Sequence, residues 1–114
     1  MLRVVIAEDS VLLREGLTRL LGDRGLEVVG GVGDGEELLA LIDTLAAEDA
    51  LPDVVVADVR MPPTHTDEGV KACVELRRRH PEVGTLVLSQ YVEERYASEL
   101  LAGSTRGEIG RAHV

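Results

Sequence analysis

Short apolar runs alternate with longer amphipathic segments along this chain. Three runs rich in β-branched residues, each followed directly by polar residues, occupy positions 3–7, 54–57 and 85–88. Runs of this length and composition are typical of strands that are buried on both faces of a parallel sheet. A further strand is predicted at 26–29, extending towards Val32.

The segments between these runs have helical periodicity, with apolar residues recurring every three or four positions. They predict helices from Ser10 to Leu21, closed by Gly22, from an Asp34 cap to about Ala47, from about Asp67 to Arg79, and from Glu93 to Ala102. The side chains expected to face the core are those at positions 13, 17, 20, 21, 38, 41, 42, 45, 70, 73, 74 and 76. The alternation of strands and helices predicts an α/β fold with a doubly wound parallel sheet.

The composition indicates one soluble globular domain. With 114 residues, 45% of them hydrophobic and 29% charged, the chain is long enough for a core, and no apolar run is long enough to cross a membrane. A net charge of -9 argues against direct nucleic-acid binding, and the basic triplet at 77–79 is interpreted as the solvated end of a helix. The single cysteine, Cys73, is interpreted as a core residue and fits a reducing cytoplasm.

Polar side chains that can bind metal or phosphate follow three of the predicted strands. Glu8 and Asp9 follow the first, Asp58 follows the third and Ser89 follows the fourth. Since ligands of open parallel sheets lie beyond the carboxyl ends of the strands, these four side chains are expected at one edge. Mg²⁺ held by the carboxylates of Glu8, Asp9 and Asp58 would offset the repulsion between them and leave an Asp able to attack phosphorus. Taken singly, each of these residues would more often be a cap or turn residue.

Three segments of the sequence extend this interpretation. They are Ala7-Glu-Asp-Ser-Val11, Val54-Val-Val-Ala-Asp-Val-Arg-Met-Pro62 and Leu86-Val-Leu-Ser-Gln-Tyr91. Together they resemble the receiver domain of two-component response regulators, and most of all the receivers of NarL/LuxR-type transcriptional regulators. The resemblance covers Met1 to about Gly107 and implies a flavodoxin-like sheet.

The resemblance implies a role for individual residues. Asp58 matches the phosphoacceptor, Asp9 the direct Mg²⁺ ligand, and Glu8 the acid that binds this ion through water. Arg60 would contribute its backbone carbonyl to the metal, so its side chain is not implied. Ser89 matches the switch hydroxyl that moves towards the phosphoryl group.

The function implied by the resemblance is signalling rather than enzymatic turnover. A sensor histidine kinase would donate a phosphoryl group to Asp58 in a Mg²⁺-dependent reaction. The added charge would bias a two-state equilibrium and so change homodimerisation or an attached output domain. Tyr91 lies near the aromatic switch position of the family, although family members place that aromatic in the following strand. A helix-turn-helix output domain is absent from the 114 residues, so DNA binding is implied only for a longer protein.

The loop before the third predicted helix is longer than in most receivers and resembles a variant of the NarL/LuxR type. It contains His65, a residue type that suits a phosphorelay or a metal site. Because His65 is a single histidine in a loop without helical context, we interpret it as solvent-exposed.

The carboxyl-terminal segment departs from the family. Receivers continue into a fifth strand ending in an essential lysine and then a fifth helix, whereas residues 108–114 contain no strand-like run and no lysine. The one lysine, Lys71, falls in the third helix, and His113 is a poor replacement for an ammonium group. We therefore interpret 1–107 as an incomplete receiver domain and 108–114 as a non-native tail, which matches the translation of a common sequencing adapter. Such a chain is expected to fold and switch poorly.

Three alternatives to a phosphoaccepting receiver remain open. A small Mg²⁺-dependent phosphatase-like enzyme with an Asp nucleophile would need a second acid at position 60, where the sequence has Arg. A flavin or nucleotide binder is disfavoured because Gly31, Gly33 and Gly35 miss the G-x-G-x-x-G spacing. A receiver fragment that is not phosphorylated would act only by binding.

Overall fold

The computed structural model describes residues 1–88 of the chain. Within them four strands and three helices alternate: β1 (Arg3–Ala7), α1 (Val11–Asp23), β2 (Glu27–Val32), α2 (Gly35–Ala47), β3 (Val54–Asp58), α3 (Glu68–Arg79) and β4 (Gly84–Leu88). The strands pair in parallel in the order β2-β1-β3-β4, which confirms the predicted α/β fold. Ser89, Tyr91, the predicted helix at 93–102 and the tail at 108–114 lie outside the described residues.

Helices cover both faces of the sheet, and side chains alternate between the two faces. Val5 and Ala7 of β1 join a core cluster with residues of α2 and α3, whereas Val4 and Ile6 pack with residues of α1. As the apolar pattern predicts, β1 and β3 are buried almost throughout. The prediction that β4 is also buried on both faces is wrong, because Leu86 is 44% exposed.

Polar caps set the starts of the helices that border the carboxyl edge of the sheet. Ser10 caps α1 by accepting a hydrogen bond from the Leu13 N–H at 3.3 Å, and Asp34 caps α2 as predicted. The prediction that Gly22 closes α1 is wrong, since the helix continues to Asp23. It ends there because Gly25 takes a left-handed conformation with φ 86°.

Helix α3 buries a different face from the one predicted. Val70 and Val74 were expected in the core but are 41% and 65% exposed, while the other two predicted positions are buried. The small residues Gly69 and Ala72 are buried instead. A Cβ on Gly69 would lie 1.8 Å from the backbone oxygen of Asp58, so only glycine permits this approach to β3. Close packing at the start of α3 therefore decides its rotation.

Two expectations from the composition, a buried Cys73 and a solvated basic triplet, agree with the structure of the described residues. Cys73 is a buried free thiol, and burial raises the pKa of this thiol. In the basic triplet, Arg78 and Arg79 pair with Glu75 on the exposed end of α3. No helix among residues 1–88 combines the length and hydropathy needed to span a bilayer.

Candidate functional site

Three carboxylates meet at the carboxyl edge of the sheet. Strands β1 and β3 are neighbours, and Ala7 pairs with Ala57. Glu8 and Asp58, which follow these two alanines, therefore start from adjacent positions. One ligand oxygen from each of Glu8, Asp9 and Asp58 lies within 4.8 Å of the other two. The structure thus brings together the three carboxylates that the sequence pattern places at this edge.

The cluster combines buried and exposed groups. Glu8 is 2% and Asp58 5% exposed, whereas the side chain of Asp9 is 33% exposed. Backbone donors orient the two buried carboxylates: the Ser10 N–H donates to Glu8 Oε2 and the Arg60 N–H to Asp58 Oδ1, each at 2.9 Å. These bonds offset part of the cost of burial. Three like charges this close still repel one another, which favours the binding of a cation.

The donor set fits a divalent cation such as Mg²⁺. Carboxylate oxygens are hard ligands, and Mg²⁺ in proteins takes one or two of them while keeping several waters. The exposure of Asp9 gives water access to one side of the cluster. The hydrogen bond from Arg60 to Asp58 also keeps the Arg60 backbone at this edge, while Arg60 as a whole is exposed.

Arg14 of α1 supports the edge in a way that the sequence pattern did not indicate. Its Nη1 donates a hydrogen bond to the backbone oxygen of Glu8 at 2.7 Å. Its side chain crosses the end of β2, where a Cβ on Gly31 would lie 3.1 Å from Arg14 Cδ and a Cβ on Gly33 3.6 Å from Arg14 Nη1. Gly31 therefore leaves room for the arginine, whereas a Cβ at position 33 would make only ordinary van der Waals contact with it. The bond fixes the turn between β1 and α1, which carries Glu8 and Asp9.

His65 reaches the cluster from the loop between β3 and α3. Its Nε2 lies 3.3 Å from Asp9 Oδ2, and its side chain is 55% exposed. The exposure agrees with the interpretation from sequence, but the contact with Asp9 was missed. No local pattern indicates this contact, because it joins residues 56 positions apart.

The glycine-rich segment before α2 has a structural role at its helix terminus. The Gly33 N–H donates to Glu37 Oε1 at 2.9 Å, and the Asp34 carboxylate accepts from the Glu37 N–H at 2.8 Å. Glu36 and Glu37 occupy the first turn of the helix. Negative charge therefore occupies the terminus where a nucleotide or flavin phosphate would bind, which argues against that alternative.

Two further residues considered from the sequence are Ser89 and Lys71. Ser89 is outside the described residues, but Leu88, which precedes it, is the register partner of Asp58. The Val59 N–H also donates to the Leu88 oxygen at 3.1 Å. Lys71 pairs with Asp67 at 3.4 Å on the exposed side of α3, in keeping with its exclusion from the site.

Known proteins resemble this chain in sequence. Residues 4–109 match the family model described as the response regulator receiver domain. The response regulator GacA of Pseudomonas viridiflava is 36% identical over 108 residues, which cover 94% of this chain and 47% of that protein. The DNA-binding transcriptional activator DevR/DosR of Mycobacterium tuberculosis is 36% identical over 107 residues, which cover 92% of this chain and 46% of that protein. The chain spans about half the length of these curated relatives.

A solved structure resembles it in fold. The DNA-binding response regulator of the LuxR family from Staphylococcus aureus superposes with a TM-score of 0.69 at 20% identity. The match covers 98% of this chain and 93% of that one. At such low identity the similarity concerns the fold alone, and it agrees with the parallel sheet described above.

Proposed function

Because the chain belongs to the response regulator receiver domain family, whose members are modules of two-component signalling, we propose that it accepts a phosphoryl group on Asp58. The observation that supports this proposal is the convergence of three carboxylates, two of them buried, at the ends of adjacent parallel strands. Asp9 would ligate Mg²⁺ directly and Glu8 through water, and Arg60 would add its backbone carbonyl. The phosphoryl donor is a sensor histidine kinase in the cytoplasm.

The chemistry follows from the orientation of Asp58. Its Oδ1 accepts the hydrogen bond from Arg60 at 2.9 Å, so Oδ2 is the oxygen that attacks phosphorus. A new O–P bond forms while the P–N bond of the kinase phosphohistidine breaks. The electron pair of that bond returns to the imidazole nitrogen, which takes a proton from solvent. When bound, Mg²⁺ would neutralise charge on the carboxylates and the phosphoryl oxygens.

The phosphoryl group would act on the adjoining end of β4. Leu88 faces Asp58 in register, and Ser89 follows Leu88 directly, in the position of the proposed switch hydroxyl. A group with nearly two negative charges at Asp58 would favour a different arrangement of this segment. The change would pass to homodimerisation or to an output domain of a longer protein, which would make any contact with DNA.

Phosphorylation from a small-molecule donor tests the assignment. The chain is incubated with Mg²⁺ and acetyl phosphate, and its intact mass is measured. We expect one added phosphoryl group in the wild type, none in Asp58→Asn and none after chelation of the metal. Asp49→Asn is the matched control, because Asp49 has a φ of 55° that asparagine also adopts readily. Equal modification of Asp58→Asn would refute the assignment.

The same samples separate the alternatives. A phosphatase-like enzyme would release many equivalents of phosphate from a phosphate ester, whereas a receiver turns over only the group that it carries on Asp58. A folded chain that binds Mg²⁺ yet stays unmodified would support the view that it acts by binding alone. The absence of an acid at position 60, where the exposed Arg60 stands, favours the receiver over the phosphatase.

A further inference from the structure

Each of the three carboxylates in the cluster has a hydrogen-bond donor that orients it, but the donors differ in kind. Glu8 and Asp58 accept from backbone N–H groups two residues further along the chain, each at 2.9 Å. Asp9 accepts instead from the imidazole of His65, whose Nε2 lies 3.3 Å from Asp9 Oδ2. Because this third donor belongs to a side chain, a single substitution can remove it.

The loop that carries His65 is closed on itself. Met61 is 0% exposed and anchors the loop in the core, and its backbone oxygen accepts from the His65 N–H at 2.9 Å. The hydroxyl of Thr64 donates to Glu68 Oε1 and bonds to the hydroxyl of Thr66. His65 itself has a left-handed φ of 57°, which histidine and asparagine adopt more readily than most residues. The imidazole therefore reaches the cluster from a defined backbone position.

The hydrogen bond restrains the one exposed carboxylate of the cluster. An ionised carboxylate can only accept, so Nε2 of His65 carries the proton and donates to Asp9. The bond engages Oδ2 and leaves Oδ1 of Asp9 to a cation. The Asp9 side chain is 33% exposed, and a carboxylate on the surface loses rotamer freedom when it is held in one orientation. A donor that already holds it lowers the entropic cost of metal binding.

From this geometry we propose that His65 is a positioning residue of the metal site: by donating to Asp9 Oδ2, it holds that carboxylate in the orientation that binds Mg²⁺. The inference rests on the proposed metal site, whose ligand oxygens come from Glu8, Asp9 and Asp58. The imidazole acts through Asp9 and does not bind the ion. Partners of this kind, which bond to a metal ligand, commonly change metal affinity 10–100-fold when they are removed.

Two amide substitutions separate the hydrogen bond from the imidazole. In His65→Gln the amide nitrogen takes the place of Nε2, whereas the side chain of His65→Asn is one carbon shorter and does not reach Asp9. Mg²⁺ is titrated into each protein by isothermal calorimetry. We expect His65→Asn to lose about 10-fold in Mg²⁺ affinity and His65→Gln to stay within about 3-fold of the wild type. His80→Asn is the control, because it removes a histidine whose Nε2 lies 3.0 Å from Asp43 Oδ1, and it should match the wild type.

Phosphorylation kinetics and unfolding distinguish positioning from a structural role. Modification by acetyl phosphate is followed by intact mass over a series of Mg²⁺ concentrations. His65→Asn should need about 10-fold more Mg²⁺ for half of its maximal rate, but that maximal rate should stay within about 2-fold of the wild type. In chelator, the Tm of His65→Asn should match that of the wild type, because a pairing between such exposed groups contributes little to stability.

Three results would overturn the inference. The first is a Mg²⁺ affinity of His65→Asn that is unchanged or higher, since a higher affinity would mean that His65 competes with the ion for Asp9. The second is an equal loss in His65→Gln and His65→Asn, since the donor would then not be the cause. The third is a lower Tm in chelator together with a lower maximal rate, which would make the role structural. All three leave the proposed function intact, whereas a wild type that binds no Mg²⁺ and accepts no phosphoryl group would refute both.

Discussion

Neutralising Asp58 should stabilise the metal-free protein. The carboxylates of Glu8, Asp9 and Asp58 converge within 4.8 Å, and two of them are buried. In Asp58→Asn the side chain keeps its shape and its oxygen acceptor for the Arg60 N–H, but it loses the charge. The substitution therefore removes repulsion without opening a cavity.

The size of the effect follows from the geometry. Two unit charges 4.8 Å apart interact by about 3.5 kcal/mol at an effective dielectric constant of about 20. Asp58 faces two such neighbours, so the two interactions sum to about 7 kcal/mol before solvent reduces them. Water at Asp9, whose side chain is 33% exposed, and its contact with His65 reduce this value. We expect a net gain of about 1–3 kcal/mol, or roughly 4–12 °C in Tm for a domain of this size.

Thermal unfolding followed by far-UV circular dichroism, in chelator and in Mg²⁺, measures the effect. In chelator, Asp58→Asn should unfold at a higher temperature than the wild type, and the Asp49→Asn control should not. At about ten times its Kd, Mg²⁺ should stabilise the wild type by about 1.4 kcal/mol. Asp58→Asn should gain less from the metal. An Asp58→Asn protein no more stable than the wild type in chelator would refute the reasoning about repulsion.

Three further predictions concern the supports of the site and the surface. Gly69→Ala should lower the free energy of unfolding by about 2–3 kcal/mol, because its Cβ would lie 1.8 Å from a backbone oxygen. Gly22→Ala is the control: nothing lies within 4 Å of its Cβ, so it should raise the free energy of unfolding by about 0.5–1 kcal/mol. Urea titrations that give equal effects for the two variants would contradict this. Arg14→Ala should lower the free energy of unfolding, measured by urea titration, by about 1.5–3 kcal/mol and should weaken Mg²⁺ binding, because a charged hydrogen bond to the β1–α1 turn is lost. Unchanged stability and Mg²⁺ affinity would exclude this role of Arg14. Arg78 holds the pKa of Glu75 at about 2 instead of its ordinary 4.5, so this pairing stabilises the fold above about pH 4.5 and is lost as the pH falls towards 2. The Tm difference between the wild type and Glu75→Gln should therefore shrink from about pH 6 to about pH 3, and a constant difference would count against the pairing.

Strand positions were readable from the sequence because their signal is local. The apolar run at the amino terminus predicted β1, Arg3–Ala7, to the residue, and the runs before Asp58 and Ser89 predicted β3 and β4 within one residue. Parallel strands bring their carboxyl ends to one edge, so Glu8, Asp9 and Asp58 were expected to converge. The resemblance to receivers then supplied the roles that geometry alone left open.

The rotation of α3 was not readable from its apolar pattern. Val70 and Val74 fit a helical stripe, yet both are exposed, because the helix turns its small residues towards β3. The deciding contact is the approach of Gly69 to the backbone of Asp58. Periodicity records which side chains are apolar, whereas the buried face also depends on how closely two backbones can approach.

The sequence by itself determined the elements, the parallel sheet and the three carboxylates at its edge, since each depends on residue type and short-range spacing. Only the tertiary structure decided what surrounds those carboxylates. Arg14 reaches Glu8 because Gly31 of β2 leaves space for its side chain. His65 reaches Asp9 because the loop before α3 closes on itself. The contact of His65 joins residues 56 positions apart, and the path of the Arg14 side chain depends on the neighbouring strand β2, so both are decided only once strand order and loop closure have fixed the distances.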